Sequence, residues 1–320
     1  MSKLEHRQLG RTDIRVPVLT FGGNVFGWTV DQKASFTLLD ALLEKGLYFI
    51  DTADCYSRWV EGNQGGESET IIGNWLKKSG KRDKIILATK VGMDMGEGRT
   101  GLSGKHIRQS IEESLRRLQT DYVDLYQAHR DDQDVPLQET LETFDALIKE
   151  GKVRVIGASN YGAERLSEAL QISADRGLAR YETLQPEYNL YDRKDYEAGL
   201  EDLAKNNGLA VINYYSLASG FLSGKYRKPA DANKSKRGQG VVEKYLNPRG
   251  LRIIDALDEV AKAHSASATQ VALAWQIARP GITAPIVSAT SLSQLDELVK
   301  AAALKLNPME IEKLAQASAW

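Results

Sequence analysis

Four polar side chains that could move a proton stand at or just beyond the ends of three successive apolar runs. Asp51 and Tyr56 follow one run, Lys90 ends the next, and His129 ends the third. A carboxylate at the edge of a core needs a cation, which Lys90 can supply. A charged lysine beside a phenol stabilises the phenolate, so we expect Lys90 to lower the pKa of Tyr56 and suit it to general acid work. With His129 donating a hydrogen bond to a substrate oxygen, the set predicts proton transfer to a carbonyl.

Each of these residues also has a simpler interpretation. Asp51 and Lys90 alone would serve as a structural ion pair, Tyr56 alone would be an ordinary loop aromatic, and His129 alone would be a hydrogen-bonded histidine at a strand end. Lys90 could instead form a Schiff base in an isomerase or aldolase, although a neighbouring Asp51 would hold the amine protonated. The order acid, phenol, amine and imidazole on three successive runs favours a catalytic set.

Short β-rich runs alternate with longer helical patterns along the chain, which indicates the α/β class. Near-continuous apolar strands are typical of a parallel sheet covered on both faces. Eight units in 320 residues favour a closed (β/α)8 TIM barrel over an open sheet, with the chemistry at the carboxyl ends of the strands. The predicted strands are 18–23, 47–53, 84–90, 122–129, 153–159, 181–187, 209–215 and 284–290.

The remaining segments predict one domain over residues 1–320. No Pro-rich or Ser-rich linker and no repeat divides the chain, and the leading "HRQLGRTDIRVP" predicts a hairpin that turns at Gly10 and covers the barrel floor. After the seventh predicted strand, residues 224–250 form a basic insertion that we expect to be a long irregular loop. Such loops in barrels are more often functional than loops elsewhere.

The composition of the chain limits its possible partners and its cellular compartment. A formal net charge of -1 gives no overall attraction to nucleic acid or to anionic membranes. The single cysteine, Cys55, rules out an internal disulfide, and we interpret it as a loop residue without a partner base. The amino terminus has no apolar signal core, so we expect a soluble cytoplasmic protein. A homo-oligomer is compatible with this composition. The four histidines have no metal-ligand spacing, and no metal site is predicted.

Several motifs together resemble the aldo-keto reductase family over nearly the whole chain. They are "FIDTADCYS", "ATKVG", "DLYQAH", "VIGASN", "LQPEYNL", "YYSLASGFLSGKY" and "SLSQLDEL". The resemblance implies a (β/α)8 barrel that reduces aldehydes and ketones with NADPH, without metal or flavin. It also implies that Asp51, Tyr56, Lys90 and His129 are the catalytic residues, with Tyr56 as the general acid.

The resemblance also implies a set of cofactor-binding residues. Ser159, Asn160 and Gln185 would hold the nicotinamide carboxamide, and Tyr214 would stack on the nicotinamide ring. The pyrophosphate and the adenosine would contact Ser216, Leu217, Gly220, Lys225, Arg237, Ser288, Thr290, Gln294 and Glu297.

This chain departs from the family pattern near the adenosine. Ser288 stands where the family usually has Gly, Thr290 where it has Arg, Lys or Ser, and Leu298 where it has Asn. Ser291 and Gln294 also read as a capping box, which would explain both without a ligand. Because Lys225 and Arg237 match basic positions of the family's cofactor-covering loop, we expect NADPH to be preferred and NADH to remain possible.

Substrate contacts are predicted from the loops that follow the first four strands. Trp28, Trp59 and Met93 would line a pocket for a bulky apolar or ring-bearing carbonyl, with Arg130 as a polar anchor; alternatively, the tryptophans only pack the loops. The resemblance extends to potassium-channel β subunits, so a cofactor-binding regulatory subunit is the alternative function.

Overall fold

The computed structural model describes residues 4–320, and eight of its ten strands form one parallel sheet around a common axis. In that sheet β10 pairs with β3, and each following strand pairs with the next as far as β9. The strands are β1 (His6–Gln8), β2 (Arg15–Pro17), β3 (Thr20–Gly22), β4 (Phe49–Asp51), β5 (Ile86–Val91), β6 (Val123–Ala128), β7 (Val153–Ser159), β8 (Tyr181–Gln185), β9 (Ala210–Val211) and β10 (Ile286–Val287).

Backbone hydrogen bonds also join the two ends of this sheet. The N–H groups of Thr283 and Ala284 donate to the Val211 carbonyl, at 2.8 and 3.2 Å, and the N–H of Ile286 donates to the Asn213 carbonyl at 2.8 Å. These contacts close the sheet, and the predicted (β/α)8 barrel is confirmed. The last two predicted strands are shorter than expected because only two residues of each make regular ladder bonds.

Helices follow the strands and cover the outside of the sheet. Several begin at a side chain that accepts a backbone N–H of the first turn, as Asp31 does from Ala34 at 2.8 Å. None of the helices within residues 4–320 is long and apolar enough to cross a membrane. They are α1 (Gln32–Glu44), α2 (Glu67–Ser79), α3 (Gly104–Leu118), α4 (Leu137–Lys149), α5 (Ala163–Arg176), α6 (Glu201–Asn206), α7 (Gly238–Tyr245), α8 (Pro248–Ala263), α9 (Ala268–Ala278), α10 (Leu292–Ala303) and α11 (Pro308–Ala317).

Side chains inside the barrel form an apolar layer below a polar one. Because successive residues of a strand point to opposite faces, residues two apart share the interior. The apolar layer includes Phe49, Leu125 and Val155, and the predicted hairpin β1–β2 closes it from below with buried Leu9. The other residues buried in this layer are Ile14, Val16, Ala88, Ala210, Ile212 and Ala284.

The interior is too crowded for a side chain on every inward position. A Cβ on Gly157 of β7 would lie 2.0 Å from Oγ1 of Thr183 on β8. Glycine at this position therefore allows β7 and β8 to pair while Gln185 keeps its place in the polar layer.

The basic segment 224–250 is more ordered than the sequence predicted. It contains a short helical turn, Pro229–Lys234, and the helix α7, and α8 begins within it. Gly238 and Gly240 weaken the local helical preference. Tertiary packing overrides that preference, since Tyr245 stacks on Phe221 at 5.5 Å between ring centroids and Val241 is buried.

The burial of Leu9 predicts that the hairpin stabilises the barrel. Leu9→Ala should lower the free energy of unfolding by about 2–5 kcal/mol, because a cavity would remain under the apolar layer. Urea unfolding followed by circular dichroism measures the loss. Met309→Ala, at a side chain that is 80% exposed, is the control and should change little. A loss for Leu9→Ala no larger than for the control would contradict the hairpin's role.

Candidate active site

The carboxylate of Asp51 is the centre of the polar layer. Its side chain and that of Lys90 are 1% and 0% exposed, and Lys90 Nζ donates to Asp51 Oδ2 at 2.6 Å. The side-chain amides of Gln127 and Gln185 donate to Oδ1 at 3.1 and 3.0 Å. The buried charge is therefore paired and hydrogen-bonded on both oxygens, as burial requires.

Lys90 joins this carboxylate to the phenol of Tyr56. Besides Asp51, its ammonium donates to the Thr52 carbonyl at 2.8 Å and to the Tyr56 hydroxyl oxygen at 2.8 Å. The Tyr56 hydroxyl lies 3.4 Å from Asp51 Oδ2. Acid, amine and phenol thus form one connected cluster at the carboxyl ends of β4 and β5, as the sequence predicted.

The pKa of Tyr56 shifts in the direction opposite to the one expected from the sequence. Burial of the phenol, and then the negative charge of Asp51, raise the pKa of Tyr56 well above its usual value. The expectation that the pKa of Tyr56 is lowered is therefore wrong, since burial and Asp51 outweigh the neighbouring Lys90. Tyr56 keeps its proton at neutral pH, and the Lys90 N–H points at the oxygen on which negative charge would develop.

His129 follows β6 and lies beside Tyr56, with 6.0 Å between the ring centroids. Its backbone N–H donates to the Val91 carbonyl at 2.8 Å, which ties this residue to the end of β5. Burial, and then the charges of Lys90 and Arg130, lower the pKa of His129 well below its usual value. The imidazole is thus neutral and can donate one hydrogen bond.

Gln127 is a site residue that the sequence reasoning missed. It lies on β6 two residues before His129, so both side chains point into the barrel. Its Oε1 also accepts a hydrogen bond from Gln185 Nε2 at 3.0 Å. This two-residue spacing before a site histidine was the signal that could have found it.

Cys55 lies in a loop, as predicted, but it has a neighbouring base that the sequence did not indicate. Its Sγ is 3.7 Å from Nδ1 of His129. One ligand atom each of Asp54, Cys55 and His129 lie within 4.8 Å of one another. The fold therefore brings together three groups whose spacing along the chain does not predict a cluster.

The residues predicted to hold the nicotinamide carboxamide lie next to the catalytic candidates. The Asn160 amide donates to the His129 carbonyl at 2.8 Å, and its oxygen accepts from the Tyr214 hydroxyl at 2.7 Å. Ser159 donates to the Gln185 carbonyl at 2.9 Å. Because Gln185 uses its amide hydrogens on Asp51 and Gln127, its Oε1 is the atom left for a ligand donor.

The predicted pyrophosphate contacts lie on the turn after β9. Ser216 is buried and donates its hydroxyl to the Ile286 carbonyl at 2.7 Å, so this side chain fixes the turn. Leu217 begins a helical turn over Ala218–Ser223, and Gly220 has a positive φ of 94° within it. A Cβ on Gly220 would lie 3.5 Å from Lys225 Nζ. Backbone groups of the turn and the Lys225 ammonium are therefore close together.

Lys225 and Arg237 differ from other cations of segment 224–250. Within residues 4–320, Arg227, Lys234 and Lys244 pair with acidic side chains, whereas Lys225 and Arg237 make no ion pair, like Lys228, Lys236 and Arg249. Lys225 and Arg237 differ from those three by their position beside the turn after β9 and beside Trp28. The Arg237 guanidinium lies 4.5 Å from the centre of the Trp28 ring. Burial lowers the pKa of Arg237 from its usual value. Nearby tyrosines, including Tyr56, partly offset this lowering.

The four residues predicted at the adenosine end are engaged within the protein. Ser288 donates to the Gly22 carbonyl at 2.7 Å, and Glu297 accepts the Ser267 hydroxyl. Ser291 caps α10, but Gln294 accepts from Thr290 N–H at 2.8 Å instead of returning to Ser291. The reciprocal capping box is therefore not formed. These side chains have to rearrange, or use their free atoms, to contact a ligand.

Of the predicted pocket residues, Trp59 and Trp28 lie on the side of Tyr56. The indoles of Trp28 and Trp59 meet edge to face at 5.6 Å, and Trp59 is 6.0 Å from Tyr56 between ring centroids. Trp59 is 52% exposed. Met93 is half-buried and Arg130 is exposed, and neither makes a side-chain hydrogen bond within residues 4–320.

The buried pair predicts strongly coupled substitutions. Lys90→Met should lower the free energy of unfolding by about 3–5 kcal/mol, because Asp51 would be left without its cation. The double variant Asp51→Asn/Lys90→Met should lose less than the sum of the two single losses. Urea unfolding of all three variants measures the coupling. Lys84→Met, in an exposed pair with Asp83, is the control, and additive single losses would disprove the coupling.

The chain is similar to known proteins over most of its length. The family model for the Aldo/keto reductase family matches residues 18–319. The chain is 35% identical over 311 residues to "Uncharacterized oxidoreductase YrpG" of Bacillus subtilis, which covers 95% of this chain and 93% of that protein.

Two further relatives are named for different functions. A "Probable voltage-gated potassium channel subunit beta" of Oryza sativa is 32% identical, over 93% of this chain and 91% of that protein. An "L-glyceraldehyde 3-phosphate reductase" of Escherichia coli K12 is 30% identical, over 93% of this chain and 88% of that protein. The chain is an oxidoreductase and belongs to the aldo/keto reductase family, whose members generally reduce carbonyls with NAD(P)H.

Proposed function

We propose that this chain catalyses the reversible, NADPH-dependent reduction of an aldehyde or ketone to an alcohol, with Tyr56 as general acid. The observation that carries the proposal is the contact of 2.8 Å between Lys90 Nζ and the Tyr56 hydroxyl. The same ammonium is held by Asp51 at 2.6 Å, so its direction toward the phenol is fixed. A protonated phenol with a cation at its oxygen suits proton donation followed by stabilisation of the phenolate.

The nicotinamide, when bound, would supply the hydride to the carbonyl carbon. In the protein's part of the step, the Tyr56 O–H bond breaks and its proton passes to the carbonyl oxygen. The electron pair of that bond stays on the Tyr56 oxygen, where the Lys90 N–H stabilises it. His129, as a neutral donor, would hold the carbonyl oxygen within reach of the phenol. In the reverse direction Tyr56 would act as the base.

Unpaired cations and free polar atoms support a dinucleotide at this site. Lys225 and Arg237 have no acidic partner within residues 4–320, and Arg237 is half-buried whereas Lys225 is exposed beside the turn that contains Gly220. A half-buried cation without a partner suits an anionic ligand such as a phosphate. The free Oε1 of Gln185 can accept from a carboxamide. These features favour NADPH, with NADH as a weaker alternative, since the 2′-phosphate adds a second anionic group for the cations to contact.

The two alternative functions fit this site less well. A Schiff base needs an amine with a free lone pair, but the Lys90 ammonium donates to three acceptors, Asp51, Thr52 and Tyr56. The second alternative is a cofactor-binding regulatory subunit with weak reductase activity, and the fixed cation beside Tyr56 favours efficient catalysis instead. Although one relative is named a channel subunit, the proton-transfer residues Asp51, Tyr56, Lys90 and His129 support catalysis here.

We infer that the substrate is a carbonyl compound with an apolar or ring-bearing body. Trp59 exposes about half of its surface next to Tyr56, which favours contact with a ligand. Trp28 would form a second wall, Met93 would complete the apolar surface, and Arg130 would anchor a polar group at the rim.

Removing the phenol tests the proposal directly. Tyr56→Phe should lower kcat for NADPH oxidation with 4-nitrobenzaldehyde by about 10²–10⁴-fold, because the proton donor is lost. Its Kd for NADPH, measured by fluorescence quenching, should stay within about threefold of the wild type. Tyr215→Phe, at an exposed neighbouring tyrosine, is the control. Turnover by Tyr56→Phe within about tenfold of the wild type would refute the assignment.

The unpaired cations predict cofactor preference. Lys225→Ala and Arg237→Ala should each raise the Kd for NADPH by about tenfold or more, since a contact between charges is worth about 1.5–3 kcal/mol. Arg237→Ala should weaken NADH less than NADPH. Titration with both cofactors measures the difference, with exposed Lys236→Ala as the control. Equal losses for the two cofactors would mean that Arg237 does not read the 2′-phosphate.

A further inference from the structure

Within residues 4–320, the side chain of Cys55 contacts the Nδ1 nitrogen of His129. Cys55 Sγ lies 3.7 Å from Nδ1, a hydrogen-bonding distance for sulfur. Within residues 4–320, no other side chain hydrogen-bonds to this ring, and Nε2 has no protein partner. Cys55 is therefore the group that can select which ring nitrogen carries the proton.

The position of the imidazole proton matters because the Cys55 thiol and the His129 imidazole are both neutral at pH 7. A neutral imidazole has a single N–H, so one nitrogen donates and the other accepts. Burial, and then Asp54, raise the pKa of Cys55 to about 12, so the thiol keeps its hydrogen. With the imidazole also neutral, either the S–H of Cys55 donates to the lone pair of Nδ1 or Nδ1–H donates to the sulfur, and only the first arrangement leaves the proton on Nε2.

We propose that Cys55 is a positioning residue whose S–H donates to Nδ1 of His129 and thereby holds the imidazole proton on Nε2. Nε2–H is then the donor for the carbonyl oxygen of the substrate, a role that rests on the function proposed above. In the opposite tautomer, Nε2 would direct a lone pair at the carbonyl oxygen and repel it. Cys55 thus prepares the hydrogen bond without contacting substrate.

Asp54 is the group that could oppose this arrangement. Its carboxyl is 2% exposed, and within residues 4–320 neither oxygen has a side-chain hydrogen-bond partner. An ionised Asp54 would attract a proton to Nδ1. Burial, and then the neighbouring Glu69, raise the pKa of Asp54 to about 8, against smaller opposite effects of Arg117 and Lys90. Burial therefore favours the neutral carboxyl, which leaves the donation by Cys55 unopposed.

Nitrogen NMR of histidine tests the tautomer directly. In protein labelled with ¹⁵N-histidine and treated with EDTA, the wild type at pH 7 should give an acceptor-type shift for Nδ1 and a protonated shift for Nε2. The chelator is needed because Asp54, Cys55 and His129 could together hold a transition metal. The spectrum of His129→Asn assigns the signals among the four histidines.

Two substitutions separate donation from packing. Cys55→Ser keeps a donor and should keep the Nε2–H pattern, with kcat within about threefold of the wild type. Cys55→Ala removes the donor, should give a mixture of tautomers, and should lower kcat about tenfold, the fold-change expected from one lost hydrogen bond, with the Kd for NADPH unchanged. Circular dichroism checks that both variants fold.

Three results would overturn the proposal: a protonated Nδ1 in the wild type, an unchanged tautomer in Cys55→Ala, or a metal on Nδ1 that resists EDTA. The spectra also separate this proposal from the proposed function. An Nε2–H pattern that depends on Cys55, in a protein that reduces no carbonyl, would leave the role of Cys55 intact and reject the function. Carbonyl reduction by a protein whose His129 tautomer does not depend on Cys55 would support the function and reject the role of Cys55.

Discussion

The pairing of one buried carboxylate organises the whole polar layer of the barrel. Asp51 is removed from solvent, and an unpaired charge there would be too costly for the fold to retain. Lys90 neutralises one oxygen, and Gln127 and Gln185 bond the other. Because the donors come from β5, β6 and β8, the strands have to keep their register for the pair to form. The same Lys90 then has a fixed direction toward Tyr56.

Burial gives these groups the protonation states that carbonyl reduction needs. It raises the pKa of Tyr56 and lowers that of His129, so both are neutral at pH 7 and both can donate a hydrogen bond. The cation of Lys90 contributes differently, since it stands ready for the charge that develops when Tyr56 loses its proton. The apolar layer and the hairpin below keep water from the floor of this cluster, and the mouth above it is lined by Trp28 and Trp59.

Much of this arrangement could be predicted from the sequence because parallel strands of a barrel end at one face. That rule alone brings Asp51, Lys90 and His129 together. The pKa of Tyr56 was mispredicted because neighbouring charges can be read from the sequence, whereas the extent of burial cannot. The contact between Cys55 and His129 depends on a loop turn between distant strands. The helix α7 was missed because its glycines weaken the local signal and packing on Phe221 decides the outcome.

The central claim is that Tyr56 remains a protonated phenol beside a charged Lys90 until substrate accepts its proton. Carbon NMR of protein labelled at tyrosine Cζ measures this protonation state directly, with the Tyr56 signal assigned from the spectrum of Tyr56→Phe. The signal should keep its phenol shift as the pH rises through the ordinary tyrosine pKa of about 10. A change to the phenolate shift near neutral pH would contradict the account.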